Sequence, residues 1–136
     1  MLDNSLLQAY EQTNYCFNEV TLNIGKPSRQ AVEILEPYKS LGGLFITAWN
    51  PLGKVATDEK NQSANIKLYE DLISRNLNVI EGYGESPDKI WREDSFFAYP
   101  IDKQLSTELC MVYKQNAVVY VNNDGLPDLM INPKIG

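Results

Sequence analysis

The chain contains no histidine. This removes the side chain that most often acts as a general base near neutral pH, the Ser-His and Cys-His nucleophile pairs, and the commonest metal ligand. Cysteine is scarce: Cys16 and Cys110 stand far apart, without the spacing of a zinc site. No metal and no cofactor are expected, and both thiols are expected to be reduced and partly buried. Long hydrophobic runs are also missing. No stretch approaches the roughly 18 apolar residues of a membrane span. The start, Met1-Leu2-Asp3-Asn4-Ser5, has neither the basic region nor the apolar stretch of a signal peptide. A cytoplasmic protein with no membrane partner is expected. Basic residues number 12 against 18 acidic ones, a net charge of −6, and they are scattered. No basic stripe forms, so nucleic-acid phosphates are not an expected partner.

What is present suits a globular protein. With 136 residues, 43% hydrophobic and 22% charged, the chain can bury a core as a single domain over 1–136, and disorder is not expected. Leu2, Leu6, Leu7 and Tyr10 predict a helix over 3–13. Val20, Leu22 and Ile24 alternate with polar residues and predict a strand ending at Gly25. Ser28 and Thr57 are N-caps for helices of about 28–40 and 58–75, and Asp102 caps a further helix. The last of these is given an apolar face of Ile101, Leu105, Leu109 and Val112. Gly42-Gly43 reads as a break before a central strand, Leu44–Trp49. Leu77–Glu81 and Asp94–Tyr99 read as strands, with Gly82 to Pro87 as a loop between them. Ala117–Val121 and Asp128–Ile131 form a hairpin around Asn123-Asp124-Gly125. The expected class is α/β (α+β): one domain with a mixed, mostly antiparallel sheet of five or six strands covered by helices.

The segment Phe45-Ile46-Thr47-Ala48-Trp49-Asn50-Pro51 places an amide where a buried strand ends. Pro51 stops the ladder and stiffens the exit, a position suited to a binding group. On the following helix Asn61, Asn65, Leu68 and Leu72 share one face. If the leucines point inward, so do the amides, either to tie down the loop or to line a pocket. Trp91, Glu93 and Ser95 alternate and share a strand face. Glu93 is the first candidate acid or base, because an apolar setting would raise its pKa, and Glu81 is the second. Gln115 precedes the strand at Ala117, and Asn116 beside it reads as a helix cap. Lys54 could reach an anion, but Asp58 and Glu59 in the next helix turn would repel phosphate.

Taken together, these residues resemble an uncharacterised bacterial family, domain of unknown function 3293. The resemblance runs through Tyr10 and Tyr15, Phe45–Pro51, Glu59 with Asn61 and Asn65, Gly82 and Gly84, Trp91 with Glu93 and Ser95, and Gln115-Asn116-Ala117. One departure is Gly53-Lys54-Val55, where a serine is expected near the proline. The resemblance implies no activity. It implies that the polar residues chosen above are the marks of the family.

Two functions are expected from different classes. In the first, Asn50, Asn61, Asn65, Trp91, Ser95 and Gln115 bind a small polar metabolite, with a nucleotide or nucleoside as one option. Glu93 or Glu81 would add acid/base chemistry if there is turnover. In the second, the chain is a protein-interaction or regulatory module without catalysis, and its amides only stiffen loops.

Overall fold

A computed structural model describes residues 2–135. Helix α1 (Asn4–Gln12) is capped by Asp3, whose carboxylate accepts from the Leu6 N–H at 2.8 Å. A tight hairpin follows, β1 (Asn14–Phe17) and β2 (Val20–Leu22), then α2 (Arg29–Leu35) and a 3-10 turn at Glu36–Tyr38. Next come β3 (Gly42–Ile46), α3 (Asp58–Ser74), β4 (Asn78–Glu85), β5 (Arg92–Ile101), α4 (Lys103–Val112), β6 (Ala117–Val121) and β7 (Pro127–Ile131). Ser28, Thr57 and Asp102 cap α2, α3 and α4 as expected.

The seven strands form one sheet in the order β2-β1-β4-β5-β3-β6-β7, antiparallel at every pairing. The α/β (α+β) class holds. The strand from Leu44 is interior, between β5 and β6, and β6 pairs with β7 through the Asn123-Asp124-Gly125 turn.

Several boundaries differ from the sequence expectation. Strand β1 was not expected, because four residues beside a helix carry too little pattern. The glycines do not break strands. Gly43 sits in β3 because a Cβ there would lie 2.3 Å from the Phe97 ring. Strand β4 runs straight through Gly82 and Gly84, so these residues are sheet and not a loop. In α4 the buried side chains are Ser106, Leu109 and Cys110, while Val112 is exposed, which rotates the expected face by part of a turn.

Two cores flank the sheet. One packs Leu68 and Leu72 of α3 and Leu109 of α4 on Leu44, Ile46, Phe96 and Val118. The other packs Ala31 and Leu35 of α2 on Phe17, Leu22, Phe45, Phe97 and Val121. On this second face the Tyr15 and Phe45 rings meet edge-on with centroids 5.3 Å apart. Along the sheet β1 and β3 are three strand spacings apart, about 14 Å. The rings meet because the sheet curls, and the curl leaves a concave face. Cys16 and Cys110 are both free and buried. Among the described residues no helix is long and apolar enough to cross a membrane.

Candidate functional site

After Ile46 the chain leaves the sheet and is caught by α3. Asn65 accepts from the Ala48 N–H at 2.8 Å and donates to the Asp94 carbonyl at 3.0 Å. Thr47 donates to the same carbonyl at 2.7 Å. One turn earlier, Asn61 accepts from the Asn50 N–H and donates to Asn50 Oδ1, both at 2.9 Å. Asn50 Oδ1 also accepts from the Ala56 N–H at 3.0 Å. These bonds hold Asn50 at φ 45° and ψ 69°, left-handed backbone that asparagine tolerates better than most residues. The three amides converge as the helical phase of α3 required. Asn61 and Asn65, however, are consumed by the loop and do not line the cavity beside it. Of the three, only Asn50 does so.

That cavity occupies the concave face of the sheet and has a volume of about 620 Å³. Its floor comes from β3, β5 and β6, one wall from the Asn50 loop, another from the β4–β5 turn, and its cover from α1. The register Gly84↔Glu93, Gly82↔Ser95, Ile80↔Phe97 puts Glu93 and Ser95 on the concave face. Gly84 belongs there because it leaves space: a Cβ would reach only ordinary contact, 3.6 Å from Thr13 and 3.8 Å from the Trp91 ring. Trp91, 40% exposed, stands at the rim. Glu81 is one residue out of phase. It shares the opposite face with Val79, it is exposed, and it does not line the cavity. The second acid/base candidate therefore lies away from the cavity.

Glu93 is the distinctive group. Among the described residues its carboxylate has neither a salt-bridge cation nor a hydrogen-bond donor. Burial alone pushes its pKa up to about 7. Tyr10 and Tyr15 are raised first by burial, and the charge of Glu93 adds to the rise in both. The Asn116 amide beside Tyr10 pulls in the other direction. Ser95 is buried and turns its hydroxyl to the Glu93 carbonyl at 3.1 Å. Gln115, 7% exposed, commits its Nε2 to the carbonyls of Tyr113 and Trp49 at 3.1 and 3.4 Å. Its Oε1 has no partner among the described residues. No fully buried side-chain polar atom is left unpaired among them, so that oxygen meets open space.

Two cavity groups, Tyr10 and Asn116, stand among the family marks but not among the binding residues expected from the sequence. Asn116 looked like a helix cap, but Tyr113 caps α4 and Lys114, at φ 53°, makes the left-handed turn. The Asn116 side chain, 8% exposed, is thereby left to line the cavity. Tyr10 looked like part of the core face of α1. That helix buries no residue, and its Leu6, Ala9 and Tyr10 cover the cavity instead.

A family model described as protein of unknown function (DUF3293) matches residues 46–118, more than half of the chain. The chain belongs to the DUF3293 family. The DUF3293 stretch contains the whole Asn50–Asn61–Asn65 clamp, Trp91, Glu93, Ser95, Gln115 and Asn116. The covering helix α1 and Tyr15 lie outside it. No curated protein and no solved structure matched the chain.

Proposed function

We propose that the cavity binds a small polar metabolite with an apolar face, and that Glu93 is the group that gives or takes a proton there. The observation that carries this reading is an unpaired, half-buried carboxylate lining an aromatic-walled cavity of about 620 Å³. Isolated buried charge is costly and is seldom kept without a use. The volume lies within the range of ligand pockets, roughly 300–1,000 Å³. Asn50, Gln115 and Asn116 line the same cavity as Glu93 and offer both donors and acceptors. A titration near neutrality suits either proton-linked binding or general acid/base turnover, the latter worth on the order of 10²–10⁴ in rate. A nucleotide loses support relative to a nucleoside or an amine, because none of the described lining residues is Lys or Arg.

A thermal-shift screen of the parent and Glu93→Gln against nucleosides, amino acids, polyols and amines tests this reading. The expected result is one compound class that raises the parent melting temperature and acts weakly on the variant. Silence across all classes at millimolar concentration, with Glu93→Gln melting several degrees lower, would leave Glu93 as a structural residue.

The interaction-module reading keeps one specific support. Ile66, Tyr69 and Ile73 lie at helical spacing on α3, and all three are exposed. Alanine at all three should leave the fold intact and change only association, read by sedimentation.

A further inference from the structure

Resting on that reading of the cavity, we infer that its ligand is an organic cation, an amine or protonated nitrogen heterocycle. Its positive nitrogen would sit against the Glu93 carboxylate, and its carbon frame against Trp49, Trp91 and Tyr10. Three independent features point the same way. The first is charge. The charged side chains among the lining residues are Glu93 and Asp88, and no described lining residue is basic. An anion would enter such a space at a cost, whereas a cation would supply the counter-charge that Glu93 lacks in the protein. The second is the walls. Trp49, Trp91, Tyr10, Tyr15 and Phe45 all line the cavity, and the negative faces of aromatic rings attract cations, Trp most strongly. The third is a ready set of acceptors. Gln115, more than nine-tenths buried, spends its donor on the backbone and leaves Oε1 over for N–H groups of a ligand. The Asn116 side chain, 8% exposed, lines the same cavity beside the Tyr10 hydroxyl. The net charge of −6 adds general attraction for a cationic ligand.

The titratable groups that line the cavity with Glu93 are Tyr10 from α1, Tyr15 from β1 and Asp88 from the β4–β5 turn. The Tyr10 and Tyr15 hydroxyls, with pKa values above their ordinary 10, stay neutral at physiological pH, and Asp88 is held below its ordinary value by Ser86 and the Ile90 N–H. Glu93 is thus the group whose charge changes near neutrality. Cation binding needs its ionised form, so binding below pH 7 must release a proton.

The test uses matched probes on several frames. Phenethylamine, 2-phenylethanol and phenylacetate form one set, tryptamine, tryptophol and indole-3-acetate a second, and butylamine, butanol and butyrate an aliphatic third. Each is titrated into the parent protein by calorimetry and thermal shift at pH 5.5, 6.5 and 8. At least one amine is expected to bind at least tenfold more tightly than its alcohol and acid. Its affinity should fall about tenfold per pH unit below the Glu93 pKa and level off above it. Glu93→Gln should remove both the preference and the pH dependence, and the parent pH series stands alone if that variant is poorly folded. Binding of an alcohol, an acid or a nucleoside as tight as that of the amines overturns the cation inference and leaves the pocket reading standing. Amine binding that ignores pH between 5.5 and 8 overturns the cation inference as well. No binding by any probe or nucleoside overturns both.

Discussion

Asn61 and Asn50 face each other through two hydrogen bonds of 2.9 Å, in which Asn61 Oδ1 accepts the Asn50 N–H and Asn61 Nδ2 donates to Asn50 Oδ1. The pair fixes the strand exit and so sets one wall of the cavity. Asn61 is 1% exposed, which removes water as a substitute partner. Asn61→Ala should leave the Asn50 amide and Oδ1 short of partners and cost about 1–3 kcal/mol. In a domain of this size that corresponds to roughly 4–12 °C in melting temperature. A melt within 1 °C of the parent would show that the clamp is dispensable.

This clamp was legible from sequence because it follows from helical phase: Asn61, Asn65, Leu68 and Leu72 must share a face once the leucines are buried. The hairpin around Asn123-Asp124-Gly125 was legible for a similar local reason. Glu81 was misplaced because facing depends on register, and register depends on how far β4 extends. The two glycines that looked like a loop are strand, and pairing Gly84 with Glu93 sends Glu81 to the other face. Gly43 was misread because its cause, the Phe97 ring, is 54 residues away in sequence. The cavity itself could not be seen in advance. It depends on the curl that brings Tyr15 to Phe45 and on α1 crossing the opening, and neither leaves a local signal.

Gly82 and Gly84 share strand β4 and a face, yet they should respond in opposite ways to alanine. At Gly84 a Cβ meets nothing closer than 3.6 Å, so Gly84→Ala should melt at or slightly above the parent, by up to about 1 kcal/mol from reduced unfolded-state entropy. At Gly82 a Cβ would come within 2.1 Å of the Cys16 carbonyl, so Gly82→Ala must push β1 away and should lower the melting temperature by several degrees. Urea melts of the two variants side by side check this. Equal destabilisation would contradict the open wall at Gly84.

Helix α1 buries no residue, and Tyr15 ties it to the sheet by donating its hydroxyl to the Tyr10 carbonyl at 2.6 Å. Tyr15→Phe keeps the ring on Phe45 and removes this tie. The expected cost is about 1 kcal/mol, with amide exchange rising in residues 6–13 and unchanged in β3 and β5. Exchange that rises evenly across the protein would mean that α1 is not a separately held cover.

Glu93 makes the sharpest prediction, because its sign is opposite to that of a structural carboxylate. Its folded pKa of about 7 lies above the ordinary value of 4.5. Between those two values the native state binds more protons than the unfolded chain, so stability falls as pH rises. The stability is fully present below about pH 4.5 and is lost by about pH 7, a loss of up to about 3 kcal/mol from this one group. A paired carboxylate would do the reverse and lose stability on acidification. Glu93→Gln keeps the shape and stays neutral at every pH. The carboxylate has no partner among the described residues, so the substitution breaks no bond. The variant should therefore come closest to the parent at pH 4.5 and melt several degrees higher at pH 8. A protein stabilised by losing a charged side chain from a cavity is what a retained functional group looks like. Thermal melts of both proteins at half-unit steps from pH 4.5 to 8.5 supply the curve. A variant less stable than the parent at pH 8 would mean that Glu93 has a partner and holds the fold.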